Sequence, residues 1–136
     1  MASLNMGQSY SFNQDEINRL IEPGRAGNYA YGYIDERGIF IVMYVGRSDN
    51  DLRQRIAHGI GEYAENPSLR YERFKFSYAN TVQEAYEKEC RNYHDFGGEH
   101  GSLANTAHPA RPVGSFLRCP ICGAPHNPNY ADIFRI

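Results

Sequence analysis

The order of apolar and polar positions along the 136-residue chain predicts a small α+β domain. Strand patterns, rich in aromatic and β-branched residues, cover Gly27–Ile34, Ile39–Val45 and Tyr71–Tyr78. Helical spacing covers Ser11–Ile21, Leu52 to about Tyr63, and Val82–His94. The predicted order is therefore α-β-β-α-β-α, with a small, mainly antiparallel, three-stranded sheet flanked by helices.

Capping and turn residues indicate where these elements begin and end. Asn13 is a candidate N-cap of the first helix, and Thr81 begins a capping box at the start of the last helix. Segment 35–38, Asp-Glu-Arg-Gly, is predicted to join the first two strands into a hairpin. Residues 106–136 are rich in Pro, Gly, His and Asn, so we expect one domain with its core at about 11–105 and an irregular C-terminal extension.

Composition narrows the compartment and the partners that we expect. The formal net charge of −2 disfavours a general nucleic-acid coat protein but permits one local basic face. The chain has no run of about 18 apolar residues and no basic-then-apolar N-terminal pattern, which predicts a cytoplasmic protein with no membrane partner. Three cysteines, two of them in a Cys-x-x-Cys pair, favour metal binding over a disulfide framework.

Three short segments around the predicted hairpin form an ordered motif. They are Gly27-Asn28-Tyr29, Tyr44-Val45-Gly46-Arg47 and Leu52-Arg53-Gln54-Arg55. Together with a glutamate-bearing helix downstream, their order resembles the signature of the GIY-YIG nuclease superfamily over roughly residues 27–105. The resemblance implies a divalent-metal-dependent endonuclease that hydrolyses phosphodiester bonds of nucleic acid, DNA in preference to RNA.

The first tyrosine of the motif is either Tyr29 or Tyr33. The usual spacing in the family, counted back from Tyr44, would select Tyr33. A hairpin turn centred between Glu36 and Arg37 instead pairs Tyr29 with Tyr44, and opposed residues share one face of a sheet at a separation of about 5 Å. We therefore predict Tyr29 as the first motif tyrosine and keep Tyr33 as the alternative.

The resemblance implies roles for side chains of the hairpin and of the helix that follows it. Tyr29 and Tyr44 would position the attacking water, and one would act as a base once nearby cations lower the pKa of its phenol. Arg55 would stabilise charge on the phosphate. His58 is a second candidate acid or base, one position earlier than the family commonly has it. The expected substrate-binding residues are Gly46, Arg47 and Arg53.

The last predicted helix supplies a metal-binding carboxylate in this interpretation. The family pattern selects Glu89, with Glu87 as the alternative. One carboxylate, with water and phosphate oxygens, suffices for Mg²⁺ or Mn²⁺. The family also has a catalytic asparagine beyond this helix, for which Asn105 is the best match and Asn92 the alternative.

The cysteines predict a second, structural metal site. Segment 119–123, Cys-Pro-Ile-Cys-Gly, has the form of a zinc knuckle, in which two cysteines are followed by a glycine for the tight turn. A cysteine and a histidine one turn apart on the last predicted helix would complete a tetrahedral Zn²⁺ site that holds the C-terminal extension. The predicted ligands are Cys90, His94, Cys119 and Cys122. Alternatives to the histidine are His108 and His126.

Two classes of function fit these features. The first is the endonuclease, which would gain specificity from a homodimer or a partner protein because the chain has no obvious recognition domain. The second is a catalytically inactive, zinc-stabilised module that binds nucleic acid or protein. The joint presence of two motif tyrosines, Arg55, Glu89 and an asparagine favours the enzyme. Zinc catalysis is disfavoured, because protein ligands would fill all four coordination positions.

Overall fold

The computed structural model describes residues 3–63, 66–97, 103–105 and 107–123. This part of the chain has an α+β fold with four strands and three α-helices, which confirms the predicted class. The elements are β1 (Tyr10–Ser11), α1 (Gln14–Leu20), β2 (Gly27–Ile34), β3 (Phe40–Ser48), α2 (Leu52–Tyr63), β4 (Arg73–Tyr78) and α3 (Val82–Asp95). A 3₁₀ turn at Pro67–Leu69 separates α2 from β4. The alternative zinc ligand His126 lies outside the described residues.

The sheet is antiparallel with the strand order β1-β4-β2-β3, so the prediction of three strands is wrong by one. The additional strand includes Ser11, which the sequence predicts to be helical but which pairs with Arg73. Helix α1 begins after Asn13, whose side-chain oxygen accepts a hydrogen bond from the backbone N–H of Glu16 at 2.9 Å. Because this cap sets the start of the helix, the residues before it are available for strand pairing.

The register of the hairpin also differs from the prediction. Asp35 pairs its backbone N–H with the carbonyl oxygen of Ile39 at 2.9 Å, so the turn is centred on Arg37. A bulge then leaves Met43 without a partner on β2, because Tyr31 lies opposite Tyr44 and Gly32 opposite Val42. The displaced turn and the bulge each shift the pairing by one residue. A total shift of two residues restores the original face, so Tyr44 still shares a face with the β2 tyrosines and lies opposite Tyr31.

The two faces of the sheet carry separate cores, and the central strand β2 contributes to both. Its residues therefore form an almost continuous buried run, as alternate side chains enter opposite cores. The core beneath α1 and α2 contains Ile17, Ile21, Tyr29, Tyr31, Leu52, Ile56 and Phe74. The core beneath α3 contains Leu4, Met6, Ala30, Val45, Tyr93 and Leu103.

The segment that follows α3 covers part of the outer edge of β3. The backbone N–H of Ala104 donates to the carbonyl oxygen of Met43 at 2.6 Å. The side-chain amide of Asn105 bonds to both backbone groups of Val45, accepting from its N–H at 3.0 Å and donating to its carbonyl at 2.9 Å. These bonds satisfy backbone groups that an edge strand would otherwise expose. None of the described helices is long and apolar enough to cross a membrane.

Candidate active site and metal cluster

An open cleft of about 180 Å³ lies across the edge of β3, at the end of the hairpin remote from its turn. Side chains from both faces of the sheet reach it, because Tyr44 packs on the α2 side whereas Arg47 contacts α3. The described residues that line the cleft are Tyr29, Tyr44, Gly46, Arg47, Asp49, Arg55, Glu89 and Ala110. The fold thus brings together four of the predicted catalytic residues and two of the predicted substrate-binding residues.

Tyr29 is held in the cleft by a hydrogen bond, and its ring fits there because Gly46 has no side chain. Its hydroxyl oxygen accepts a hydrogen bond from Nε of Arg55 at 3.2 Å. The phenol lies over Gly46, where any Cβ would overlap the ring and the hydroxyl. The sequence predicts Gly46 as a substrate-binding residue, but the group that occupies the space above it is the phenol of Tyr29. The alternative motif tyrosine, Tyr33, lies away from the cleft and stacks under the guanidinium of Arg70, 3.7 Å from the ring centroid.

The acidity of the two tyrosines is opposite to the expectation. Burial raises the pKa of Tyr44 to about 12, and the neighbouring Tyr63 acts in the same direction. Burial also raises the pKa of Tyr29 well above its ordinary value, and the opposing effect of Arg55 is too small to reverse this. The cation Arg55 does lower the pKa of both phenols, as predicted, but without a bound metal ion its effect does not outweigh that of burial. Both phenols stay protonated at neutral pH and act as hydrogen-bonding groups.

Glu89 enters the cleft from α3 with only 9% of its surface exposed. Its Oε1 accepts a hydrogen bond from Nη1 of Arg47 at 2.6 Å, whereas Oε2 makes no hydrogen bond to any described residue. Burial raises the pKa of the Glu89 carboxyl, and Arg47 opposes the shift. Sequence reasoning missed Asp49, which accepts a second hydrogen bond from Arg47, at Nε, at 2.8 Å. Its only signal was an acidic residue two positions after the motif that ends at Arg47.

Other predicted site residues lie outside the cleft. Arg53 faces α1 and donates to the carbonyl oxygen of Asn18 at 3.5 Å. His58 is exposed on α2, with Nε2 3.4 Å from a carboxylate oxygen of Glu62. Asn105 uses its amide on the backbone of Val45, so it supports the edge strand and does not line the cleft. The two alternatives, Glu87 and Asn92, are also absent from the described lining.

A second group of polar side chains gathers where the C-terminal segment meets the end of α3. We call it the His/Cys cluster; its members are His94, His108, Cys119 and Cys122. One ligand atom from each lies within 4.8 Å of all the others. Two imidazoles and two thiols in this arrangement can bind a metal ion such as zinc.

Two separations within the cluster are close to those of a tetrahedral zinc site. Zinc–nitrogen bonds of about 2.05 Å and zinc–sulfur bonds of about 2.3 Å put two nitrogens about 3.3 Å apart, and a nitrogen and a sulfur about 3.6 Å apart. Nε2 of His94 is 3.1 Å from Nε2 of His108, which in turn is 3.6 Å from Sγ of Cys122. Nδ1 of His108 is 2.8 Å from the carbonyl oxygen of Pro109, which can only accept. The Nδ1 atom therefore carries the proton and leaves an Nε2 lone pair for the metal.

The knuckle is also shaped to stabilise a thiolate. Sγ of Cys119 accepts hydrogen bonds from the backbone N–H groups of Ile121 and Cys122 at 3.4 and 3.5 Å. Burial alone would raise the pKa of Cys119, but these donors, together with the thiols of Cys122 and Cys90, outweigh burial and lower the pKa. Gly123 closes the turn with a φ of 74°, a conformation that favours glycine.

Cys90 does not belong to the cluster, so its prediction as a zinc ligand is corrected. It is fully buried and packs with Tyr86 and Cys119. Burial raises the pKa of its thiol to about 12, which disfavours the thiolate that a zinc ligand requires. His108 takes the fourth position, having been considered only as a substitute for His94. Helical spacing could show that Cys90 and His94 share a face, but not which of them has its ligand atom among those of His108, Cys119 and Cys122.

Comparisons of the chain with protein-family models, curated proteins and solved structures found no match. The assignment of an activity therefore depends on the side chains of the cleft and the cluster.

Proposed function

We propose that the protein is a divalent-metal-dependent endonuclease of the GIY-YIG type that hydrolyses phosphodiester bonds at the cleft. One observation carries the proposal: Tyr29, Tyr44, Arg55 and Glu89 come from four different elements and line one cleft. Packing alone gives no reason for two phenols, a guanidinium and a buried carboxylate to meet there. DNA is the first substrate to test. The three cysteines form no disulfide among the described residues, which agrees with a cytoplasmic location.

The side chains of the cleft have different roles in phosphodiester hydrolysis. The protonated phenols of Tyr29 and Tyr44 orient the attacking water and the phosphate by hydrogen bonding. Arg55, with 41% of its side chain exposed, is fixed by Tyr29 and presents positive charge to the phosphate oxygens. Arg47 lies deeper, between Glu89 and Asp49, and holds both carboxylates in place.

The carboxylate of Glu89 fits a hard divalent cation. It is buried, its Oε2 has no hydrogen-bond partner among the described residues, and its raised pKa reflects incomplete compensation of its charge. Magnesium accepts a single carboxylate oxygen when water and phosphate complete its shell. A bound cation would supply the positive charge that stabilises the reacting phosphate and lowers the pKa of nearby phenols.

The His/Cys cluster serves as a closed structural zinc site in this proposal. Four protein ligands leave no open position for substrate, so the metal would stabilise the fold and take no part in hydrolysis. The site would join the C-terminal segment to α3, the helix that also carries Glu89. Ala110 of that segment lines the cleft, so zinc would help to hold one wall of the active site.

The test compares two neighbouring glutamates of α3. Plasmid, branched duplex and single-stranded oligonucleotides are incubated with Mg²⁺ or Mn²⁺ and the wild type, Glu89→Gln or Glu87→Gln. We expect the wild type and the Glu87 variant to cleave, and the Glu89 variant to be at least about 10²-fold slower. Equal cleavage by the Glu89 variant would contradict its role as the metal ligand.

The second candidate is a zinc-stabilised binding module that has lost catalysis. It is supported by the raised phenol pKa values and by the ion pair that neutralises Glu89 through Arg47. Under this alternative the wild type binds nucleic acid or protein but cleaves none of the substrates above with either metal.

A further inference from the structure

A second opening shares Tyr44 with the cleft. We call it the aromatic pocket; its described lining is Tyr44, Tyr63, Leu69, Tyr71, Ala104, Asn105 and Ala107. It has a volume of about 360 Å³, within the range of about 300–1,000 Å³ that is usual for small-molecule sites. Because Tyr44 is a wall of both spaces, a ligand in the aromatic pocket would lie directly beside a phosphate in the cleft.

Three phenol rings give the pocket flat apolar surfaces. The ring centroids of Tyr63 and Tyr71 are 4.9 Å apart in an edge-to-face contact, and each lies about 6 Å from Tyr44, at 6.3 and 6.1 Å. Tyr63 and Tyr71 are only partly buried, so their outer surfaces remain available to a ligand. Flat rings held rigidly by one another are good platforms for stacking, since little conformational entropy is lost on binding.

The charges of the two openings differ. The cleft contains Arg47 and Arg55 beside Asp49 and Glu89, whereas no described residue that lines the aromatic pocket carries a charge. The guanidinium of Arg55, with 41% of its side chain exposed, favours a phosphate in the cleft, and the pocket favours a neutral, flat and partly polar group. Phenol hydroxyls at its wall can hydrogen-bond to the edge of such a group.

We propose that the aromatic pocket binds an unstacked nucleobase adjacent to the phosphate held in the cleft. The proposal rests on the proposed function and names its substrate class: nucleic acid that offers an unpaired or extruded base beside the cleavage site, such as a single strand or a branch point. A nucleobase is neutral and flat and is linked through its sugar to the neighbouring phosphate, so one nucleotide spans the wall formed by Tyr44.

The experiment separates base recognition from phosphate recognition. Fluorescence anisotropy measures binding of an end-labelled oligothymidine and of an abasic strand with the same number of phosphates, without added divalent metal. The wild type should bind the abasic strand about tenfold more weakly. This ratio should persist at two salt concentrations, because both strands release similar numbers of counterions.

Two variants and a control locate the effect. Ala107→Trp places a ring in the pocket from an exposed position, and Tyr63→Leu removes a stacking surface but keeps apolar volume. Each should reduce the tenfold preference to less than about twofold and leave binding of the abasic strand unchanged. Gln83→Trp adds the same ring at an exposed site on α3 and should leave the preference intact.

The outcomes distinguish this proposal from the proposed function. Equal binding of both strands by the wild type, or no binding of either, would overturn the nucleobase pocket. A preference that survives both pocket variants would overturn it too. The nuclease proposal is judged separately, by metal-dependent cleavage and its loss in Glu89→Gln. The failure of one proposal is therefore distinguishable from the failure of the other.

Discussion

The cleft and the His/Cys cluster both depend on α3 but are built in different ways. Regular elements form most of the cleft: Tyr29 and Tyr44 come from strands, and Arg55 and Glu89 come from helices. Its charges are largely compensated within the protein, since Arg47 bonds to Glu89 and Asp49. In the cluster three of the four candidate ligands belong to the irregular C-terminal segment, and the four ligand atoms lie within 4.8 Å of one another.

This difference indicates what holds each region in place. The strands and helices of the cleft are held by the cores on the two faces of the sheet, so all of the cleft except the wall at Ala110 should persist without any metal. The described part of the C-terminal segment has no helix or strand of its own, so it should depend on ligand–metal bonds. Loss of zinc should therefore affect stability first, whereas substitutions in the cleft should affect turnover first.

The largest effect is expected from His108→Ala, compared with Cys90→Ala. Removing His108 should lower zinc content from one ion per chain to near zero and reduce the melting temperature by about 10 °C or more. Cys90→Ala should retain the metal, because its thiol packs in the core outside the cluster. Elemental analysis and thermal unfolding check both variants. Retained zinc in the His108 variant and lost zinc in the Cys90 variant would restore the ligand set predicted from sequence.

The next largest effect is expected from Arg55→Gln. Loss of the guanidinium that faces the phosphate should lower kcat/KM by about 10²–10³-fold, with little change in melting temperature because Arg55 is substantially exposed. The matched control is Arg53→Gln on the same helix, where the side chain contacts α1. Steady-state cleavage of an oligonucleotide checks the pair. An equal loss of kcat/KM in both variants would show that the total positive charge of α2, and not the position of Arg55 in the cleft, determines the rate.

A smaller effect, on both activity and stability, is expected from Gly46→Ala. The new methyl group would overlap the phenol of Tyr29, so the ring must move and its bond to Arg55 must weaken. We expect a loss of about 1–3 kcal/mol in the free energy of unfolding and roughly tenfold slower cleavage. Gly61→Ala is the control, because a Cβ there meets nothing within 4 Å and an exposed helical alanine should stabilise. Denaturant unfolding measures the free energy of unfolding of both variants. An increase for Gly46→Ala, or a decrease for Gly61→Ala, would contradict the prediction.

The smallest effect concerns pH. The folded protein keeps the phenol of Tyr44 protonated until about pH 12, whereas the unfolded chain loses this proton near pH 10. The free energy of unfolding should therefore be unaffected below about pH 9 and should fall between about pH 10 and 12, because the unfolded state then binds fewer protons. Tyr44→Phe should reduce this fall. Denaturant unfolding at stepped pH, with tyrosinate absorbance, measures it; an identical slope in the variant would contradict the assignment.

Sequence patterns predicted most of the fold because they record local preferences. Helix α2 has its predicted bounds, and α3 starts at Val82 and extends one residue beyond the predicted end. The short strand β1 was not predictable, because two residues are too few to show an alternating pattern. They pair only because β4 lies beside them. The predicted hairpin register also failed, because the turn is centred on Arg37 and a bulge at Met43 shifts the pairing by one further residue.

The candidate site was predicted in part. The motif identified Tyr29, Tyr44, Arg55 and Glu89, which line one cleft, but not Asp49, whose part depends on its contact with Arg47. It also could not predict the phenol pKa values, because burial depends on neighbours from distant parts of the chain. The same holds for His58, whose helical position left open which way it points.

The sequence by itself determined the types of element, the tyrosines that share a face of the hairpin, and the candidate metal ligands Cys119 and Cys122. These properties follow from periodicity and short-range spacing. Only the tertiary structure decided that His108 and not Cys90 completes the cluster, and that the space above Gly46 holds the ring of Tyr29. Both depend on where segments far apart in the chain approach each other, which local preferences do not encode.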